Sequence, residues 1–300
     1  MPSRITLTLT VVILLFSIST LAQDEDDVIV SVDSSLVVLN ATITDPTGKH
    51  VAGLKQDQLT ILENGSAQES SFFAAEETPF AAVILLDTSG SMEQRVSLAR
   101  AAAIRFLDGL RESDVAAIYR FDSKVSLVQN FSHSRDVSEK IFDLKADGMT
   151  TLNDAVYKAS QDLGGRAEKR RAIIVLSDGM DTYSGRSADK ALKAALGANA
   201  VIYTVDMSAI ETGGKQRQQN QGVLRNFAEK TGGSFIATPG GAALRTAFDK
   251  IVVELGKQYT IAYQPKNLTK DGKWRSIELQ VSKPNLTIRT RKGYHAEKGR

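Results

Sequence analysis

The chain has 300 residues, room for one large domain or two small ones, and its 42% hydrophobic and 24% charged content is that of a protein burying a core. A net charge of +2 carries neither a nucleic-acid footprint nor an acidic tail, and the absence of Cys excludes disulfides, thiol nucleophiles and Cys-ligated zinc. Only three His occur, His50, His133 and His295, far apart in sequence, which argues against a His-rich metal site or a Ser-His-Asp triad.

Arg4, the apolar stretch over residues 5–18 and the small residues around Thr20-Leu21-Ala22 read as an export leader cleaved after Ala22. A retained membrane anchor is the alternative, although the stretch falls short of the ~20 residues that cross a bilayer. No Cys follows to carry a lipid, and no other segment has the makeup of a span. The expectation is an exported protein, periplasmic or extracellular, with no membrane span once the leader is removed.

Asp24-Glu25-Asp26-Asp27 is an acidic, solvated run. Residues 28–73 then carry a β pattern. Leu39, Ala41 and Ile43 alternate with Asn40, Thr42 and Thr44; Asp45-Pro46-Thr47-Gly48 is a turn; Leu59 and Ile61 resume the alternation; Asn64-Gly65 marks a hairpin. A few short strands alone leave one sheet face uncovered.

From residue 80 to about 255 strands and helices alternate. The apolar strands are expected at 81–86, 115–121, 172–176, 201–205 and 234–237. Amphipathic helices are expected at 96–110, 135–144, 152–163, 187–196, 223–230 and 242–255. This order implies a mostly parallel sheet covered on both faces. Residues 125–131 follow Phe121 after only Asp122-Ser123-Lys124, a gap that permits a hairpin but no crossover, so an antiparallel edge strand is expected there. After residue 255 the β pattern returns in three strands, through Tyr259, Ile261 and Tyr263, then Ile277, Leu279 and Val281, then Leu286 and Ile288. These are expected to complete a sandwich begun by residues 28–73. The boundaries that follow are 1–22 for the leader, 23–77 and 257–296 for the two halves of the sandwich, and 78–256 for an inserted α/β domain.

Functional signals gather at strand ends, where ligands bind in parallel α/β sheets. Asp87-Thr88-Ser89-Gly90-Ser91 follows the run 81–86 and sets one carboxylate and two hydroxyls on a tight turn. Asp178, in Leu176-Ser177-Asp178-Gly179, supplies a second carboxylate on the same rim, and Gly148-Met149-Thr150-Thr151 aims a hydroxyl there from a helix start. Hard oxygen donors of this kind suit Mg²⁺ or Ca²⁺ and not a soft metal.

Asp87-x-Ser89-x-Ser91, Thr150 ahead of Leu152-Asn153-Asp154-Ala155, and Asp178 in Ser177-Asp178-Gly179 together resemble the metal-ion-dependent adhesion site of the von Willebrand factor type A domain. Thr151 is the neighbouring register; Thr150 matches because it precedes Leu152 as the family's Thr precedes its helix. The flanks, Gly48 to Leu54 with Leu59 to Gly65, and Gln258 to Tyr263 with Gly272-Lys273-Trp274-Arg275 and Arg291-Lys292-Gly293-Tyr294, are similar to those of exported bacterial proteins with such a domain. The resemblance implies a Rossmann-like α/β domain inserted in a split β-sandwich. It implies that Ser89 and Ser91 bind Mg²⁺ (or Mn²⁺ or Ca²⁺) directly, Thr150 does so in a high-affinity state, and Asp87 and Asp178 act partly through water. Two carboxylates roughly neutralise the cation, and neutral hydroxyls fill other positions. An open position is then left for an acidic side chain of a protein partner.

The reading is therefore an exported, metal-dependent protein-binding module of adhesion or scaffold type, not an enzyme. No phosphate loop, dinucleotide fingerprint or nucleophile elbow is present. The alternatives are a Mg²⁺-dependent hydrolase, for which Asp181 or Asp154 would have to serve as base, or an assembly subunit of an envelope complex acting through its sandwich. Asp181 is either a support of the metal site or a plain loop residue. Residues 208–222 read as a long polar loop in which Lys215 and Arg217 either guide an acidic ligand or are simply solvated. Asn-x-Ser/Thr sequons at Asn40, Asn64, Asn130, Asn267 and Asn285 could carry glycans on a eukaryotic secretory path and are incidental in a bacterium, and the incidental reading is favoured.

Overall fold

The computed structural model describes residues 36–75, 78–133, 138–208, 214–237 and 241–296. These fall in one unit, residues 35–300; the expected leader, the acidic run and residues 28–35 lie outside the described residues.

Alternation builds the first strand, β1 (Val37–Thr44), whose Leu39, Ala41 and Ile43 enter an apolar cluster. Asp45 turns the chain by accepting the Thr47 and Lys49 amides on Oδ1. β2 (Leu59–Glu63) and β3 (Ser66–Gln68) form a hairpin across Asn64-Gly65, and β4 (Ser70–Ala74) follows. The α/β region then runs β5 (Phe80–Asp87), α1 (Val96–Asp108), β6 (Val115–Phe121), β7 (Val125–Ser132), α2 (Leu152–Gly164), β8 (Arg170–Ser177) and α3 (Ala188–Gly197). It continues through β9 (Ala200–Asp206), α4 (Lys215–Thr231), β10 (Phe235–Ala237) and α5 (Gly241–Lys257). β11 (Tyr259–Tyr263), β12 (Trp274–Val281), β13 (Thr287–Arg289) and β14 (Gly293–His295) close the chain.

The six-stranded sheet has the order β10-β9-β8-β5-β6-β7 and is parallel except for the edge pair β6–β7. Every residue of β5 is buried. Its Ala82, Ile84 and Leu86 share a cluster with α1 and α5, while Ala81, Val83 and Leu85 share one with α2, α3 and α4. Burial at roughly 1.5–3 kcal/mol per large aliphatic side chain, on both faces at once, is why this strand reads as an unbroken apolar run. The chain leaves β5 toward β6 on one side and later returns to β8 on the other, so the carboxyl ends of β5 and β8 flank a topological switch point.

The other eight strands form two four-stranded sheets, β13-β1-β11-β4 and β14-β12-β2-β3. Each mixes strands from before and after the α/β region: β1 pairs with β11 and β2 with β12, both antiparallel. Leu39, Ile61, Tyr259, Ile261 and Ile277 form their common core, so the α/β fold is inserted in a split sandwich. Buried polar groups tie the two parts. Arg170, at the start of β8, donates to Thr260 Oγ1 at 2.8 Å and to the Gln258 carbonyl. Glu254 on α5 accepts Tyr203 Oη at 2.7 Å and Thr42 Oγ1 at 3.0 Å, and pairs with Arg289 of β13.

Three expectations need correction. The helix expected at residues 135–144 is, among the described residues, only a single 3-10 turn, Glu139–Ile141. Ile141 and Leu144 bury with helical spacing, but the segment is too short to hold a helix alone, and the Asp147 amide is drawn to the Thr88 carbonyl at 2.8 Å. The polar stretch after Ser208 is not a loop throughout: helix α4 begins at Lys215, not at residue 223, and residues 209–213 lie outside the described residues. Its first turns bury nothing apolar before Leu224, so they show no periodicity. The closing β segment has four strands rather than three, because Gly293–His295 pairs with β12.

Candidate metal centre

Asp87 ends β5 and is fully buried. The loop beyond it is fixed on the β6 side by the Thr88 amide, which donates to the Phe121 carbonyl at 2.8 Å, and underneath by the buried Met92, whose amide reaches the Ser89 carbonyl at 2.9 Å. In that loop Ser89 donates to Asp87 Oδ1 from both its amide, at 2.9 Å, and its hydroxyl, at 2.6 Å. Ser89 Oγ lies 3.2 Å from Ser91 Oγ, and Ser91 is exposed. One carboxylate and two hydroxyls thus converge where the strand stops.

Asp87 Oδ2 accepts a 2.5 Å hydrogen bond from Ser177 Oγ at the end of β8. Burial pushes the Asp87 carboxyl up to about 7; its hydrogen bonds from Ser177 and Ser89 oppose the rise and the charge of Asp178 adds to it. Among the described residues no Lys or Arg contributes. Asp178 is half-buried and takes the Met180 amide on Oδ1 at 3.0 Å. Gly179 follows at φ +80°, and a Cβ there would sit 2.5 Å from the Asn220 carbonyl oxygen of α4, so only Gly lets this turn close against the helix.

The third loop joins through backbone. The Gly90 amide donates to the Gly148 carbonyl at 3.2 Å, tying the Ser89–Ser91 turn to the segment before α2. Gly148 is at φ +75°, with Ser123 Oγ 2.5 Å from where a Cβ would stand. Thr150 is held on both sides: Thr182 Oγ1 accepts its amide at 3.0 Å, and its carbonyl accepts the Thr182 and Tyr183 amides at 3.0 and 2.9 Å. Thr151 Oγ1 is committed to the Asp122 carbonyl at 2.8 Å, whereas the Thr150 hydroxyl has no hydrogen bond among the described residues. The two neighbouring hydroxyls thus differ in their hydrogen bonding.

Five side chains thus sit on three adjoining loops at the carboxyl end of the sheet. Asp87, Ser89 and Ser91 are in direct contact, Asp178 acts on Asp87 through its charge, and Thr150 is joined to them through the Gly90–Gly148 bond. Among the described residues no group of three or more His, Asp or Glu side chains converges to hold a metal. Any cation here would rely on hydroxyls beside two carboxylates. The fit is chemical: the donors are all oxygen, and a buried carboxylate lies next to a second one with no protein cation among the described residues to balance them.

Two residues were missed by sequence reasoning. Ser177 orients Asp87, and its only signal was its place directly before Asp178. Thr182 holds the Thr150 loop and carried no signal at all. Asp181 takes the Asn153 amide on Oδ2 at 2.8 Å and the Ser184 hydroxyl at 2.7 Å, so it caps the start of α2. Asp154 accepts the Gly185 amide and pairs with Arg186 at 2.9 Å. Arg217 lies 3.8 Å from the buried Asp206, the carboxylate that ends β9.

Residues 82–180 match the family model of the von Willebrand factor type A domain. The uncharacterized protein sll0103 of Synechocystis sp. is 27% identical over 211 residues, covering 68% of this chain and 48% of that protein. The chain therefore spans about half the length of the curated relative it matches. Among solved structures, a von Willebrand factor type A protein from Catenulispora acidiphila aligns with a TM-score of 0.50 at 15% identity, over 86% of this chain and 72% of that one. The von Willebrand factor domain of the type V pili tip protein Mfa5 from Porphyromonas gingivalis aligns at 0.49 and 15%, over 59% of this chain and 94% of that one. The likeness to the first is one of fold. The family-model match runs from β5 to just past Asp178 and takes in every loop of the site: the chain carries a von Willebrand factor type A domain.

Proposed function

We propose that the chain is an exported protein-interaction module whose binding depends on a divalent cation. Ser89, Ser91 and Thr150 would offer their hydroxyls to Mg²⁺, or to Mn²⁺ or Ca²⁺, with Asp87 and Asp178 supplying the balancing charge, partly through water. When bound, the cation supplies an electrophilic position that a carboxylate of a protein partner can complete. Support comes above all from one observation: the Asp87 carboxylate is fully buried beside Asp178 and, among the described residues, takes hydrogen bonds only from neutral groups and meets no protein cation. The free Thr150 hydroxyl, beside a committed Thr151, supports the same donor set. Asp154 and Asp181, the bases a hydrolase would require, are both engaged in holding loops.

Export is supported by the leader-like composition of residues 1–22 and the small residues before residue 23. Among the described residues no helix is long and apolar enough to cross a membrane. The domain limits proposed are 23–77 and 257–296 for the sandwich and 78–256 for the type A domain. The test is capture of envelope proteins on the immobilised chain with Mg²⁺ and with chelator. Capture that requires Mg²⁺ and is lost in Asp178→Ala is expected. Capture that ignores both changes would assign binding to the sandwich instead.

A further inference from the structure

Met149 and Tyr183 stand out as large apolar side chains left open beside the cation site, at 52% and 60% exposure. Met149 directly precedes Thr150, and the Tyr183 amide donates to the Thr150 carbonyl at 2.9 Å, so the two residues bracket that position. Neither belongs to any apolar cluster of the described residues. Their backbones are nonetheless fixed. The Met149 amide donates to Ser123 Oγ at 3.0 Å, Thr150 and Thr182 are cross-bonded, and Asp181 fastens the loop that bears Tyr183 to the start of α2. The backbone under them is already ordered, so covering them costs the rotamer freedom of the two side chains but no ordering of the loops. Met adapts its shape to a partner, and Tyr offers a broad face with a polar tip.

The charge beside them points the same way. Lys124 adjoins Ser123 on the loop that holds Met149; it is exposed and forms no ion pair among the described residues. A positive group and two open apolar side chains thus stand next to a site that would present a cation. We propose that the partner is a protein segment carrying an acidic residue directly next to an apolar one. The acid completes the cation's coordination, and the apolar side chain lies between Met149 and Tyr183. This rests on the cation reading given above. It adds that the apolar pair, not the cation, selects among acidic partners: an acidic polysaccharide supplies the carboxylate but no side chain for the pair.

The test uses three probes on the full chain in Mg²⁺: labelled peptides Gly-Gly-Glu-Leu-Gly-Gly and Gly-Gly-Glu-Gly-Gly-Gly, read by fluorescence anisotropy, and Mg²⁺ itself, read by calorimetry. The Leu peptide should bind roughly tenfold tighter than the Gly peptide, the order of effect expected for burying one aliphatic side chain. In the double variant Met149→Ser with Tyr183→Ser that advantage should vanish while the Mg²⁺ heat stays unchanged. Equal binding of the two peptides, or binding of neither with the Mg²⁺ heat intact, overturns the apolar selection and leaves the cation site standing. Glucuronate competing as well as the Leu peptide also overturns it, in favour of a polysaccharide. A wild-type chain that gives no Mg²⁺ heat overturns the underlying reading instead.

Discussion

Replacing Asp87 by Asn removes a buried charge while keeping the shape of the side chain and an acceptor for the Ser89 amide. The wild-type carboxyl is raised by burial from the ordinary 3.8 to about 7. In the cation-free protein the folded state therefore holds a proton that the unfolded chain has released across that window. Stability is fully present below the lower value and is lost as pH rises through the higher one. The gap between 3.8 and about 7, at about 1.4 kcal/mol per pH unit, is on the order of 4 kcal/mol. The Asn variant lacks this loss. Urea unfolding in chelator at a series of pH values should show it gaining on the wild type by that order from pH ~4 to pH ~8. Added Mg²⁺ should restore the wild type, by about 2.7 kcal/mol at a hundredfold excess over Kd, and leave the variant unmoved. A difference that is flat with pH in chelator would refute the buried-charge argument. Equal stabilisation of both proteins by Mg²⁺ would refute the assignment of Asp87 to the site.

The two threonine registers separate by substitution. Thr150→Ala should weaken Mg²⁺ binding about tenfold with little change in unfolding, whereas Thr151→Ala should cost about 1 kcal/mol through its lost bond to the Asp122 carbonyl and keep Mg²⁺ affinity. Gly179→Ala should destabilise by roughly 2 kcal/mol or more in urea, since it meets both a left-handed φ and the Asn220 carbonyl oxygen at 2.5 Å. Glu254→Ala strips Tyr203, Thr42 and Arg289 of their shared partner, and should lower stability by about 2 kcal/mol with Mg²⁺ binding retained, as calorimetry would check.

Much of this was legible in the residues. The buried run ending at Asp87 and the oxygen donors beyond it stand out because a two-sided strand has to be apolar throughout. The edge strand β7 followed from a loop too short for a crossover. The rest was hidden for physical reasons. Ser177 and Thr182 act through single hydroxyls, and nothing in a Ser or Thr announces its partner. The first turns of α4 are polar on every side, supported by Gln216 to Asn220 and by Gln221 and Arg217 on Asp206, so they look like loop. The segment with Ile141 and Leu144 errs the other way: two buried residues at helical spacing mimic a helix, while backbone ties to the Asp87 loop keep the chain open. Placing Thr150 rather than Thr151 in the site rests on the resemblance, and the bond of the Thr151 hydroxyl to the Asp122 carbonyl is consistent with it.

Calorimetric titration of Mg²⁺ into the wild type and into Ser89→Ala and Asp178→Ala tests the central claim most directly, with circular dichroism confirming that both variants fold. A single saturable binding event in the wild type, absent from both variants, is the result predicted. No event in the wild type, or the same event in folded variants, would contradict it.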